Sequence, residues 1–88
     1  MAATGGPPIR RLRMQARLRG TREACLLLGE FADQMDISTD GRVLEGFESL
    51  LSENDCDIVH WVLGTLDAPE RHQFIVSLMA STRQTKDR

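Results

Sequence analysis

Eighty-eight residues, 41% hydrophobic and 27% charged with a formal charge of -2, make one small domain, which at this length buries roughly two-thirds of its unfolded surface around a single core. No run of about 18 apolar residues could span a bilayer, and the N-terminal residues lack the apolar block of a secretory signal, so the chain reads as a soluble, intracellular protein. The charge is unevenly spread: residues 1–22 carry six arginines and no acid, residues 23–70 carry twelve acids against Arg42 alone, and residues 71–88 carry four bases and Asp87. A polyanion would have to bind the two ends.

In chain order, residues 1–8 are small, rich in Gly and Pro and without pattern, and are expected to form a disordered leader. Order begins near Ile9. From Ile9 to Leu18, Arg10, Arg13 and Arg17 recur at helical spacing on one side while Leu12 and Ala16 share another, which predicts a short basic helix ending near Gly20. A second helix is predicted from Thr21 to Met35, where Ala24, Leu27, Leu28, Phe31 and Met35 form a broad apolar stripe. Gly29 inside it costs about 1 kcal/mol against alanine, a loss that packing must offset.

Asp36 to Gly41 reads as a polar turn, followed by a third helix with Val43, Phe47, Leu50 and Leu51 inward and Glu45 and Glu48 outward. Asp55 or Asn54 can cap a fourth, in which Ile58, Val59, Trp61, Val62 and Leu63 predict a short, mostly buried segment stopped by Gly64. Asp67-Ala68-Pro69-Glu70 then opens a fifth helix, with Phe74, Ile75, Leu78 and Met79 facing the core and fraying expected after Ser81. Sustained period-two alternation is absent, so the fold class is all-α: a bundle of about five short helices over residues 9–80, with 81–88 as a frayed tail.

Catalytic and metal chemistry find little footing. Cys25 and Cys56 are too few for a disulfide framework and too far apart for a local metal knuckle, and read as reduced, semi-buried thiols. Cys56 and His60, four residues apart, could share a helix face as thiol and base, but the acids beside Cys56 would raise its pKa rather than lower it. Cys25, Cys56, His60 and His72 show no metal-ligand spacing. Gly5-Gly6-Pro7-Pro8 follows no strand, precedes no lysine and lacks the donors of a phosphate loop.

What stands out is the junction Arg19-Gly20-Thr21-Arg22-Glu23, where the basic arm meets the acidic body. Gly20 is free to adopt backbone angles closed to other residues and lets another surface approach closely, and the flanking guanidiniums offer forked donors. The local alternative is that Gly20 merely ends the arm helix and Glu23 pairs with Arg19 at i, i+4. A second functional reading is an RNA- or anionic-surface-binding adaptor using the arm, against which stand the absence of Tyr and of aromatics interleaved with the arginines.

With Arg19, Gly20 and Glu23, then Leu27, Leu28, Phe31 and Ala32, then Phe47-Glu48-Ser49-Leu50-Leu51 and Asp55-Cys56-Asp57-Ile58-Val59-His60-Trp61, the chain resembles the succinate dehydrogenase flavinylation factors, from about Arg11 to Pro69. The resemblance implies a five-helix assembly chaperone, not an enzyme. Such a protein binds the flavoprotein subunit of succinate dehydrogenase or fumarate reductase and promotes self-catalysed covalent attachment of FAD to a histidine there, holding no cofactor or metal itself. On this view Arg19, Gly20, Arg22 and Glu23, with Arg17 beside them, contact the client, while Trp61 and the leucine stripes build the core. Cys25 stands where many bacterial members have aspartate and mitochondrial ones cysteine; Ala24 and Leu18 depart from the family pattern. The resemblance implies bacterial cytoplasm or mitochondrial matrix, no nucleic-acid partner, no membrane insertion and a monomer when free.

Overall fold

The computed structural model describes residues 8–86, with side chains to Thr82, and consists of α1 (Ile9–Arg17), α2 (Arg22–Asp33), α3 (Gly41–Leu50), α4 (Asp55–Leu63) and α5 (Glu70–Lys86). Among the described residues there is no strand, so the chain is all-α as its periodicity predicts. The leader expected over residues 1–8 lies, Pro8 apart, outside the described residues. The predicted fraying after Ser81 meets a helix that runs on to Lys86.

Four helix boundaries have a local cause. Thr21 starts α2 by accepting from the Ala24 N–H, Asp40 starts α3 by accepting from Arg42, and Asn54 starts α4 by accepting from Asp57, each satisfying a donor that the first turn leaves over. Asn54, not Asp55, is therefore the cap, which frees the Asp55 carboxylate for other work. Gly64 ends α4 with φ at 86°, the left-handed conformation in which a Cβ is penalised. Between α2 and α3, Asp36 accepts from both the N–H and the hydroxyl of Ser38.

Leu12 and Ala16 bury α1 against α2, as their shared face predicts, and Ala24, Leu28, Phe31 and Ala32 present the apolar side of α2. Phe31 and Phe47 meet at 5.4 Å between ring centroids, an edge-tilted contact typical of buried aromatic pairs. Two expectations need correction. α4 is only half buried, since Ile58 and Val62 alone are fully enclosed while Leu63 faces solvent: nine residues packed against α2 and α5 leave an outer side. Among the described side chains of α5 the buried set is His72, Ile75, Val76 and Met79, and Phe74 lies outside beneath the Arg42 guanidinium, 4.7 Å from its ring centroid. Packing against both α3 and α4 turns the helix so that this i, i+3, i+4, i+7 row faces inward.

Candidate functional site

The junction between α1 and α2 is short, Leu18 to Thr21, and its shape is set from outside by the start of α4. The Arg19 guanidinium donates from Nε to Asp55 Oδ1 at 2.7 Å, from Nη1 to the Leu51 carbonyl at 2.6 Å and from Nη2 to the Glu53 carbonyl at 2.7 Å. The other oxygen of Asp55, Oδ2, accepts from the backbone N–H of Gly20 at 2.8 Å and of Thr21 at 3.1 Å. Arg19 and Asp55 are largely enclosed, with 13% and 15% of their side chains exposed. Partial burial pushes the Asp55 pKa up, but the hydrogen bonds from Arg19, Gly20 and Thr21 outweigh it and hold the carboxyl below its ordinary value.

This geometry redistributes the roles expected along the segment. Arg19 points inward, so its guanidinium is a tie between two parts of the chain rather than a free outward donor. Glu23 is not its partner, which removes the local i, i+4 alternative. Gly20 does not hold a left-handed φ, the only such glycine among the described residues being Gly64; it is exposed, its N–H donates to Asp55, and a Cβ there would stand 3.4 Å from Oδ2. Arg17 pairs with Asp33 at 2.6 Å across α1 and α2. That leaves Gly20, Arg22 and Glu23 as the outward face, and neither Arg22 nor Glu23 makes an ion pair or side-chain hydrogen bond among the described residues.

Beside Glu23 runs a groove of about 320 Å³ whose far wall is α4, lined by Thr21, Cys56, Val59, His60, Leu63 and Thr65. Cys56 is exposed rather than semi-buried, and His60 Nδ1 lies 2.6 Å from the Thr65 hydroxyl. Cys25, half-buried, points its thiol at the Arg17 and Arg19 carbonyls at 3.5 and 3.4 Å. Among the described residues no group of three or more His, Cys, Asp or Glu side chains is placed to hold a metal ion.

A second cluster escaped the sequence. His72, 1% exposed, bonds through Nε2 to Glu53 Oε2 at 2.7 Å and packs at a tilt against the Trp61 ring, centroids 5.7 Å apart, while Arg71 reaches the same carboxylate at 3.0 Å. Hydrogen bonds from His72 and then Arg71 hold the Glu53 pKa below its ordinary value. Since the Glu53 carbonyl also receives Arg19, the α3–α4 loop is gripped from the junction on one side and from α5 on the other. The core row predicted for α5 does not include His72, and its partner is 19 residues away.

A model of the family described as the flavinator of succinate dehydrogenase matches residues 10–83. The chain is 44% identical over 62 residues to a Schizosaccharomyces pombe protein named succinate dehydrogenase assembly factor 2, mitochondrial, a match covering 69% of this chain and 44% of that one. It is 36% identical over 66 residues to the protein of the same name from Danio rerio, covering 73% and 42%, and 43% identical over 60 residues to that of Aspergillus terreus, covering 68% and 20%. The matched part is thus less than half the length of each of these relatives.

Proposed function

The chain belongs to the family of flavinators of succinate dehydrogenase, and from that premise we propose that it binds the flavoprotein subunit of succinate dehydrogenase or fumarate reductase and promotes covalent attachment of FAD to it. The observation that carries this reading is the family match over residues 10–83, which takes in the whole Arg19 to Glu23 junction together with the α4 start that holds it. The relatives' names place them in mitochondria as assembly factors, and no helix among the described residues is long and apolar enough to cross a membrane.

In this reading the protein is a chaperone of assembly and performs no bond-making step. Gly20, Arg22 and Glu23 press on the client, with Arg17 at the edge and Arg19 acting from within. The client keeps FAD and the acceptor histidine; the factor holds its domains so that the two meet, and orientation of this kind can remove several kcal/mol from a barrier. A rigid, internally tied junction suits that task, because a surface already in its bound shape loses less on binding.

The test is covalent-flavin fluorescence of the denatured flavoprotein subunit from cells with and without this protein. Strong fluorescence only in its presence is expected. Equal fluorescence in both would remove the proposal.

A further inference from the structure

We infer that Asp55 is the positioning residue of the contact surface: its two carboxylate oxygens hold the Arg19–Thr21 backbone in the shape that the flavoprotein meets, while Asp55 itself touches no client group. The inference rests on the proposed role of Gly20, Arg22 and Glu23 as the client-facing residues.

The two oxygens do separate jobs. Oδ1 takes Arg19 Nε, and Oδ2 takes the N–H groups of Gly20 and Thr21. Thr21 is in turn the residue whose hydroxyl caps α2 at Ala24, so the direction in which Arg22 and Glu23 leave the first turn follows from where Asp55 places Thr21. The stretch from Leu18 to Thr21 is also tied by the Arg19 side chain, anchored on Leu51 and Glu53, by the thiol of Cys25 on the Arg19 carbonyl, a weak donor, and at its two ends by the backbone bonds of Leu18 N–H to Gln15 and of Cys25 N–H to Thr21. The carboxylate also stands in the first turn of α4, where the helix dipole favours negative charge.

An asparagine has the same shape but one acceptor oxygen, so it can serve Arg19 or the two N–H groups, not both. The freed junction would then sample several shapes, and the client would bind only the fraction already in the right one. Affinity should fall while the capacity of the bound complex stays intact.

Three purified proteins test this: wild type, Asp55→Asn, and Asn54→Ala, which weakens the same end of α4 by removing its cap without touching the junction. Two measurements are made, amide hydrogen exchange at Gly20 and Thr21 in the free proteins, and titration against purified, unflavinylated succinate dehydrogenase flavoprotein subunit followed by covalent-flavin yield at saturation. In Asp55→Asn the two amides are expected to exchange at least about tenfold faster and affinity to weaken by about tenfold or more, with the yield recovering at saturation. Asn54→Ala should lose stability but keep wild-type exchange at both amides and wild-type affinity. Affinity of Asp55→Asn close to wild type, protected amides in that variant, or an equal loss in Asn54→Ala would each overturn the inference. If wild type itself binds no flavoprotein, the proposed function falls, and the exchange measurement still decides whether Asp55 orders the junction.

Discussion

Arg19 spends all three guanidinium nitrogens inside the molecule, on one carboxylate and two carbonyls, and lysine cannot reproduce that fork. Arg19→Lys is therefore expected to cost about 1–3 kcal/mol in chemical denaturation, through a weakened tie and carbonyls left with poorer partners. The carboxylates add a pH dependence. Asp36, Glu53 and Asp55 all have pKa values lowered in the folded chain, from ordinary values of 3.8, 4.5 and 3.8. Each binds protons more readily when unfolded, so its stabilisation is complete above those ordinary values and is lost as pH falls through the folded ones. These carboxylates should make the urea midpoint fall as pH drops below about 4, and the fall should be shallower in Asp55→Asn. The sequence made the junction conspicuous, because a glycine between arginines stands out, yet it could not pair Arg19 with a residue 36 positions away. Local spacing offered Glu23 instead, and only the packing of α4 against α2 decides between the two.

At the scale of elements, the helix count and most apolar faces were legible because a 3.6-residue period is local, whereas the rotation of α5 was not. Phe74 and His72 compete for the same core, and the neighbouring α3 and α4 select the smaller, hydrogen-bonded ring for the inside. Glycines show the same division. Gly29 is buried beneath the aliphatic stem of Arg17, but a Cβ there would meet Arg17 Cγ at 3.7 Å, ordinary contact. Packing does not demand this glycine, and Gly29→Ala is expected to raise stability by about 0.5–1 kcal/mol. Gly64 is the opposite case: a Cβ would have open space, yet φ is 86°, so Gly64→Ala should cost about 1 kcal/mol or slightly more. Thermal melts of the two single variants, shifting in opposite directions, check both statements.

Across the whole molecule, the basic arm folds onto the acidic body instead of standing free. Arg11 pairs with Glu48, Arg17 with Asp33 and Arg19 with Asp55, and Arg13 donates to the Ala32 and Met35 carbonyls at the end of α2, where a cation also complements the helix dipole. A six-arginine arm with four members engaged in this way makes a poor footprint for RNA or anionic lipid. Titration with single-stranded RNA at about 0.15 M salt should show no binding stronger than a screened, non-specific contact; tight binding would revive the adaptor reading. What remains outward at the junction is Gly20, Arg22 and Glu23, and among the described residues Glu23 has no ion-pair or hydrogen-bond partner, so its replacement forfeits only a favourable charge in the first turn of α2. The most direct measurement is therefore covalent-flavin yield in purified flavoprotein subunit, incubated with FAD and increasing amounts of wild type or of Glu23→Arg, with helicity of both proteins followed by circular dichroism. Full helicity is expected in both, with a yield that rises with wild type but stays near background with Glu23→Arg. Equal yields from two equally folded proteins would contradict the client-facing role of Glu23.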